Sequence, residues 1–301
     1  MYKQISANVR LTWFLMSIFV LFVIGIGYVF SILYDSTLII LIAIFIAVFQ
    51  SITSYYYSDK IALLTTGAKQ TKREDYLELY RIVENLCIAA GLPQPKIFII
   101  QDLSPNAFAT GRDPKNAVIV VTSGLLEKLD RTELEGVISH ELSHIGNYDI
   151  RLMTVIVVLV GLIALLADWG LRIGFWSSRD NDNRDGGAWM LLIALVLWVI
   201  APISATLIQL AVSRRREYLA DATGALITRY PEGLASALDK ISKNKSNLKR
   251  TNRATAHLFI ADPFGADRKT NFAKEESWFS IVFSTHPPIR ERIKRLKDMI
   301  K

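Results

Sequence analysis

The chain contains very little cysteine and histidine. Its single cysteine, Cys87, excludes an intramolecular disulfide bond and is typical of a protein that stays in a reducing compartment. Because Cys87 lies on the apolar side of a helical pattern, we expect it to pack in a hydrophobic core rather than to react. Only four histidines occur among 301 residues, so two histidines at a short, regular spacing carry information.

Charged residues are missing from two long N-terminal stretches. No charge lies between Arg10 and Asp35, and none lies between Asp35 and Asp59. Each stretch is longer than the ~20 residues that a helix needs to cross a membrane core of about 30 Å. The first stretch is too long for a cleaved signal peptide, and no small-residue cleavage site follows it. We therefore predict a retained membrane hairpin over residues 1–57.

Two further apolar stretches occur in the second half of the chain. The stretch after Arg151 reaches Asp168 after sixteen uncharged residues, which makes it marginal as a membrane span. The stretch 188–212 is longer and uncharged, and together the two predict a second membrane hairpin. The predicted organisation is a first hairpin (1–57), a first polar part (58–151), a second hairpin (152–212) and a second polar part (213–301).

Basic residues flank the predicted spans unevenly. They precede the first span and follow the second and fourth spans, at Lys3, Arg10, Lys60, Lys69, Lys72, Arg73 and Arg214 to Arg216. The turn of the first hairpin has none, and the loop between the third and fourth stretches mixes both signs. The positive-inside rule then predicts a multi-pass protein of the cell membrane with both termini and the polar parts in the cytoplasm. The net charge of +7 fits flanks beside an anionic lipid bilayer, and we favour that partner over nucleic acid.

The polar parts combine helical and strand patterns. Residues 74–90 have helical spacing and stop at a glycine, while 96–101 and 117–122 are β-branched runs typical of strands. Residues 106–111 are mostly small, and we interpret them as an edge strand. Further amphipathic helices are predicted near the C-terminus. The predicted fold class is an α+β membrane protein, mostly helical, with a small β-sheet and about four transmembrane helices in two hairpins.

Residues 140 to 144 read His-Glu-Leu-Ser-His. On a helix, His140 and His144 are four apart, so both imidazoles project from one face toward a common point. Neutral imidazoles suit Zn²⁺, and Glu141 beside them can take a proton from a metal-bound water. Zinc lowers the pKa of such a water to about 7, which makes it able to attack a peptide carbonyl. The other interpretation is an amphipathic helix that carries two histidines by chance.

A catalytic zinc site needs a third protein ligand and one open position. The remaining candidates are His257, His286 and the carboxylates. Glu217 and Asp221 are four apart on a helix, so Glu217 could bind the metal while Asp221 hydrogen-bonds a ligand histidine. A solvated, charged helix end is the competing interpretation of the same residues. The residues alone do not decide between these two interpretations.

The two separated motifs resemble those of a known protein family. His-Glu-x-x-His, followed after membrane segments by Ser-Arg-x-Arg-Glu-x-x-Ala-Asp, resembles the HtpX heat-shock membrane proteases, which are relatives of the CAAX prenyl endopeptidases. The resemblance also includes residues 106–111, 256–260 and 284–288, so it extends over essentially the whole chain. Because the central motifs are intact, it implies an active enzyme.

The resemblance implies a zincin-like metalloprotease domain that binds one Zn²⁺ per chain. His140, His144 and Glu217 would bind the metal. Glu141 would be the general base, and Asp221 would hydrogen-bond a ligand histidine. The implied function is a membrane-anchored zinc endopeptidase that cleaves membrane or membrane-proximal proteins, above all misfolded ones, in membrane protein quality control.

The resemblance also implies how substrates bind. Asn106, Ala107, Phe108 and Ala109 would pair with an extended substrate backbone, so that main-chain hydrogen bonds carry the affinity. Phe108 itself is better explained as a core residue. His286 would lie near the site and help to stabilise the oxyanion, although a histidine before two prolines can also cap a helix. His257 would pack structurally.

Two other classes of protein compete with this interpretation. An intramembrane metalloprotease of the site-2 type buries its motif in the bilayer and takes an Asp ligand from a late membrane segment. Here the motif helix begins with polar residues, and the stretch 188–212 contains no Asp. A non-catalytic membrane adaptor or transporter would be expected to carry ionisable residues within its spans, and the first, second and fourth stretches have none.

Overall fold

The computed structural model describes residues 2–33, 35–161, 213–244, 248, 255, 258–261 and 287–300. Most of the predicted second membrane hairpin lies outside the described residues, as do His257 and His286.

The N-terminal part is a hairpin of two long helices, α1 (Tyr2–Leu33) and α2 (Thr37–Thr66). Both helices are long and apolar enough to cross a membrane, as the uncharged stretches predicted. They approach closely where a side chain on Gly27 would meet the Cβ of Ala43 at 2.2 Å. Helix α2 continues past the predicted end of the hairpin at residue 57 and stops at Gly67. Charged residues end a membrane span but do not end a helix, so the helix continues beyond the apolar stretch.

A four-stranded mixed sheet follows the hairpin. Its strands are β1 (Lys69–Gln70), β2 (Lys96–Ile100), β3 (Ala107–Thr110) and β4 (Val118–Thr122), in the order β1-β2-β4-β3. Strands β2 and β4 are parallel, and β3 pairs antiparallel with β4, so β3 lies at one edge. The pattern of 106–111 predicted this edge strand. Strand β1 was missed because two exposed polar residues carry no apolar alternation.

Seven α-helices complete the described fold, beside a short 3-10 helix at Pro114–Asn116. They are α3 (Leu77–Ala90), α4 (Ser123–Lys128), α5 (Arg131–Gly146), α6 (described as Asp149–Gly161), α7 (Arg214–Thr228), α8 (Pro231–Ser242) and α9 (Ile289–Asp298). The main core lies between the sheet and helices α3, α5 and α8, with Val83, Ile119, Ile138 and Leu238 fully buried. Cys87 packs in this core, as its position on the apolar side of α3 predicted.

Helix α5 carries the His-Glu-Leu-Ser-His motif and is buried along most of its length. It begins with a capping box in which Asp130 and Glu133 satisfy each other's backbone N–H groups. Glu133 also accepts hydrogen bonds from Ser236 and Lys240 of α8, both at 2.6 Å. Gly136 allows the two helices to touch, because a Cβ there would lie 2.6 Å from the backbone nitrogen of Leu234. These contacts hold the motif helix in the centre of the domain.

The chain bends sharply directly after the motif. Helix α5 ends at Gly146, and α6 runs at 81° to it after a two-residue break. Tyr148 in this break has φ 60°, a left-handed conformation that costs a non-glycine residue about 1–3 kcal/mol. The bend brings Asp149, at the start of α6, back against the last turn of α5.

Candidate metal centre

The two motif histidines face each other in a buried site. His140 and His144 are 1% and 5% exposed, and their Nε2 atoms lie 3.2 Å apart. The Nδ1 atom of His140 is 3.0 Å from Asp221, and that of His144 is 2.9 Å from Asp149. An ionised carboxylate only accepts hydrogen bonds, so each Nδ1 carries the donated hydrogen. Both Nε2 atoms therefore point toward one place, where a bound cation would be stabilised.

Glu217 supplies a carboxylate to the same place. Its Oε2 is 3.8 Å from Nε2 of His140, and its Oε1 is 3.5 Å from Nε2 of His144. Nitrogen and oxygen ligands about 2.0–2.1 Å from a tetrahedral zinc ion lie about 3.3 Å from each other. The spacing and the donor types thus fit one zinc ion. Among the described residues, His140, His144 and Glu217 are the His, Cys, Asp or Glu side chains that lie close enough together to hold a metal ion.

The position of Glu217 follows from how α7 packs on α5. Glu217, Asp221 and Gly224 are spaced four and three apart, so they share one face of α7. A Cβ on Gly224 would lie 3.1 Å from the backbone nitrogen of His140. The glycine therefore permits the close approach that brings both carboxylates of α7 to the motif histidines.

Burial and the neighbouring groups shift the pKa values of the two histidines in opposite directions. Burial lowers the pKa of His140 despite its hydrogen bond to Asp221. Burial acts on His144 in the same direction, but the hydrogen bond with Asp149 and the charges of Glu217 and Glu141 outweigh it and raise its pKa to about 9. The site is thus rich in negative charge around His144, which favours a cation.

Glu141 is buried next to the histidine pair and the edge strand. It is 2% exposed, and its carboxylate accepts a hydrogen bond from the backbone N–H of Ala109. Burial raises the pKa of Glu141 to about 7, because the charged form loses its hydration. A carboxylate with a pKa near neutrality is suited to take up and release a proton at physiological pH.

Arg292 of α9 is a site residue that the sequence reasoning missed. It is fully buried, and its guanidinium donates to both oxygens of Asp221, at 2.9 and 2.7 Å. Its Nη1 is 3.4 Å from Glu217 Oε2. Burial raises the pKa of Asp221, but the charge of Arg292 outweighs it and lowers that pKa to about 2. Arg292 therefore keeps Asp221 ionised as the acceptor for His140.

A signal for Arg292 does exist in the sequence. It lies three residues after Ile289 and four before Leu296, on the apolar stripe of an otherwise basic helix. A charged residue on a buried stripe calls for a buried partner of opposite charge. Asp149 was missed as well, although it follows His144 by only five residues, because the turn that folds it back is not visible in the spacing.

The predicted substrate strand is partly covered by the chain itself. The backbone N–H of Ile260 donates to the carbonyl of Ala107 at 2.9 Å. The side-chain amide of Asn106 bonds both backbone groups of Ala261, at 3.0 and 3.3 Å. Residues 258–261 thus occupy the first part of the β3 edge.

The remaining predicted substrate residues differ in their surroundings. Phe108 is fully buried and packs edge-to-face on Phe259 at 4.9 Å, so its side chain is a core residue. Ala109 directs its backbone N–H toward Glu141. Among the four residues, Ala109 is therefore the one whose backbone reaches the candidate catalytic group.

A membrane hairpin joined to a mostly helical domain with this buried histidine and carboxylate centre defines the class of membrane-bound metalloproteases. Residues 72–300 match the model of peptidase family M48, and the chain belongs to that family. Among curated relatives, a "Protease HtpX homolog" from Dictyoglomus turgidum is 47% identical over 299 residues, which cover 99% of this chain and 94% of the relative. Another, from Thermoanaerobacter pseudethanolicus, is 48% identical over 305 residues, covering 99% of this chain and 98% of the relative.

The fold also resembles a solved crystal structure. The crystal structure of S. mikatae Ste24p aligns with a TM-score of 0.52 at 20% identity, covering 98% of this chain and 67% of that chain. At this identity the likeness concerns the fold alone. Together the comparisons confirm the predicted family, fold class and metalloprotease activity, and they support them over a site-2-type protease or a non-catalytic adaptor.

Proposed function

We propose that the chain is a zinc-dependent endopeptidase of the cell membrane. His140, His144 and Glu217 would hold one Zn²⁺, and Glu141 would act as general base. The observation that carries this proposal is the convergence of two Nε2 atoms and the Glu217 carboxylate within 4.8 Å of one another in a buried site. Glu141, with its raised pKa, completes the set of groups that hydrolysis of a peptide bond requires.

The residues of the site would have different roles in the hydrolysis of a peptide bond. Bound zinc would supply a water with a pKa of about 7 and polarise the substrate carbonyl. Glu141 would take the proton from the attacking water and pass it to the departing amide nitrogen. Asp221, held by Arg292, and Asp149 would keep the imidazoles in the tautomer that directs Nε2 toward the metal.

We further propose that the substrate binds in extended form along the β3 edge. Ala107 and Ala109 both direct their backbone groups away from β4, toward Ile260 and Glu141 respectively. The Ala107 carbonyl already accepts a hydrogen bond and the Ala109 N–H donates to Glu141, so a substrate strand would pair from the Ala109 carbonyl onward unless it displaces residues 258–261. Pairing at Ala109 would place the scissile bond beside Glu141 and fix its register through backbone hydrogen bonds.

The substrates and the location follow from the membrane hairpin. A catalytic domain tied to α1 and α2 stays close to the bilayer surface, which favours membrane or membrane-proximal proteins, including misfolded ones. The uneven distribution of basic residues supports a cytoplasmic catalytic domain, interrupted by a second membrane hairpin over residues 152–212. The polar parts 58–151 and 213–301 would then form one protease domain.

We expect cysteine labelling to report this orientation. In a chain with Cys87 replaced by alanine, Ser36→Cys lies in the turn between α1 and α2 and should react with a membrane-impermeant maleimide from outside the cell. Ser242→Cys, at the end of α8, should react only after the membrane is opened. The reverse pattern would overturn the orientation, and the unsubstituted Cys87→Ala chain is the control for background labelling.

Proteolysis by the purified protein tests the proposed activity. In detergent, the protein should cleave an unfolded protein such as casein at internal bonds. A zinc chelator should stop cleavage, and added zinc should restore it, because the attacking water depends on the metal. Cleavage that continues unchanged after the metal has been removed would contradict a zinc-dependent mechanism.

A further inference from the structure

The first membrane helix is hydrogen-bonded to the turn that follows the metal motif. Asn8 of α1 is only 7% exposed. Its side-chain N–H group donates to Asp149 Oδ1 at 2.6 Å and to the backbone carbonyl of Asn147 at 3.0 Å. Both acceptors belong to the bend between α5 and α6. A residue near the start of the chain thus contacts the residues directly behind the candidate metal site.

The contact continues from Asp149 to a candidate metal ligand. Asp149 is 1% exposed, and its second oxygen, Oδ2, lies 2.9 Å from Nδ1 of His144. One carboxylate oxygen is therefore held by Asn8 and the other faces the imidazole. Arg216 Nε, 3.7 Å from Oδ1, adds a positive charge on the Asn8 side. With both oxygens engaged, the plane of the carboxylate is fixed, and so is the direction of the His144 ring.

An apolar seam keeps Asn8 in register with Asp149. Leu15 and Phe19 of α1 pack against Leu152 and Ile156 of α6 in a separate buried cluster. Asn8 lies on the same face of α1, seven residues before Leu15. Since this seam does not involve the Asn8 amide, α1 should stay docked when the amide is removed. The effect of Asn8 on the site can then be separated from its effect on folding.

We propose that Asn8 is a positioning residue of the metal centre, acting through Asp149 on His144. It would hold Asp149 in the orientation that accepts the Nδ1 hydrogen of His144, so that Nε2 points to the metal. The first membrane helix would then be part of the metal centre in addition to being an anchor. This inference rests on the proposed function, because it assumes that His144 binds zinc.

Zinc affinity of the detergent-solubilised full chain tests the proposal. We expect Asn8→Leu, which keeps the size but removes the donor, to raise the zinc dissociation constant about 10-fold, as expected for a partner outside the ligand shell. The matched control is Thr12→Val. Thr12 lies one turn along the same buried face, and its hydroxyl donates to the Asn8 carbonyl within α1 at 2.8 Å. The control should leave zinc affinity unchanged. Asn8→Ala replaces Asn8→Leu if leucine prevents folding.

A double-mutant cycle separates positioning from general structural damage. In an Asp149→Ala background, Asn8→Leu should cause no further loss of zinc affinity, because its path to His144 is already broken. The metal-free Asn8→Leu protein should remain folded, although it should melt somewhat below Thr12→Val because the buried Asp149 carboxylate loses a hydrogen-bond donor. Equal losses of affinity in both backgrounds, or no loss with native Asp149, would overturn the proposal.

The variant Glu217→Ala distinguishes failure of the positioning role of Asn8 from failure of the proposed zinc site. If zinc binding is lost in Glu217→Ala but unchanged in Asn8→Leu, the positioning role is wrong and the proposed zinc site stands. If the native chain binds no zinc, the proposed function and the role of Asn8 are both overturned, whereas a Glu217→Ala chain that binds zinc as tightly as the native chain would overturn only Glu217 as the third ligand.

Discussion

Replacing Glu141 by glutamine should reduce the rate of peptide-bond cleavage by about 10²–10⁴-fold while zinc remains bound. The amide has nearly the same size as the carboxylate, and its oxygen can still accept the Ala109 N–H group. It cannot take the proton of the attacking water. The fold and the three candidate metal ligands should therefore persist, and only the proton transfer should be lost.

The measurement is kcat on a fixed peptide substrate, with metal content determined on the same samples. Glu135→Gln is the matched control, because Glu135 lies on the same helix and pairs with Arg131 at the surface at 3.0 Å. The control should cleave at the native rate. If Glu141→Gln also cleaved at nearly the native rate, Glu141 would not be the general base.

Much of the candidate site could be predicted because its ligand groups lie on helices at regular spacing. The separation of four residues places His140 and His144 on one face, and the same separation aligns Glu217 with Asp221. Local periodicity of this kind is visible in a single sequence. The structure brings these four side chains together, and their roles in catalysis remain predictions.

The supporting residues could not be predicted because their contacts join distant parts of the chain. Asn8 lies 141 residues from Asp149, in the polar segment that precedes the first uncharged stretch. Arg292 lies 71 residues from Asp221, among other basic residues of a surface-like helix. Nothing in the spacing of either residue indicates its partner.

The contacts of the edge strand β3 also depend on distant parts of the chain. The small residues of 106–111 predicted an edge, and β3 lies at one. The sequence could not show that residues 258–261 bond to its first part, because that contact depends on the tertiary fold. A substrate model drawn from the sequence alone therefore assigned all four residues to substrate pairing, whereas the geometry favours Ala109.

Glu217→Ala should weaken zinc binding by more than about 100-fold, beyond the effect typical of a partner outside the ligand shell. Two imidazoles would remain where a catalytic zinc needs three protein ligands. The change would also leave Arg292, 3.4 Å away, with one fewer carboxylate in a buried environment, which disfavours a second positive charge. Proteolysis should be lost together with the metal.

The number of zinc ions per chain, measured by elemental analysis of purified protein, tests most directly whether Glu217 is the third zinc ligand. We expect one zinc in the native chain, one in the surface control Glu135→Ala, and almost none in Glu217→Ala. A full zinc ion retained by Glu217→Ala would contradict the account and move the third ligand elsewhere, with His257 and His286 as the remaining candidates.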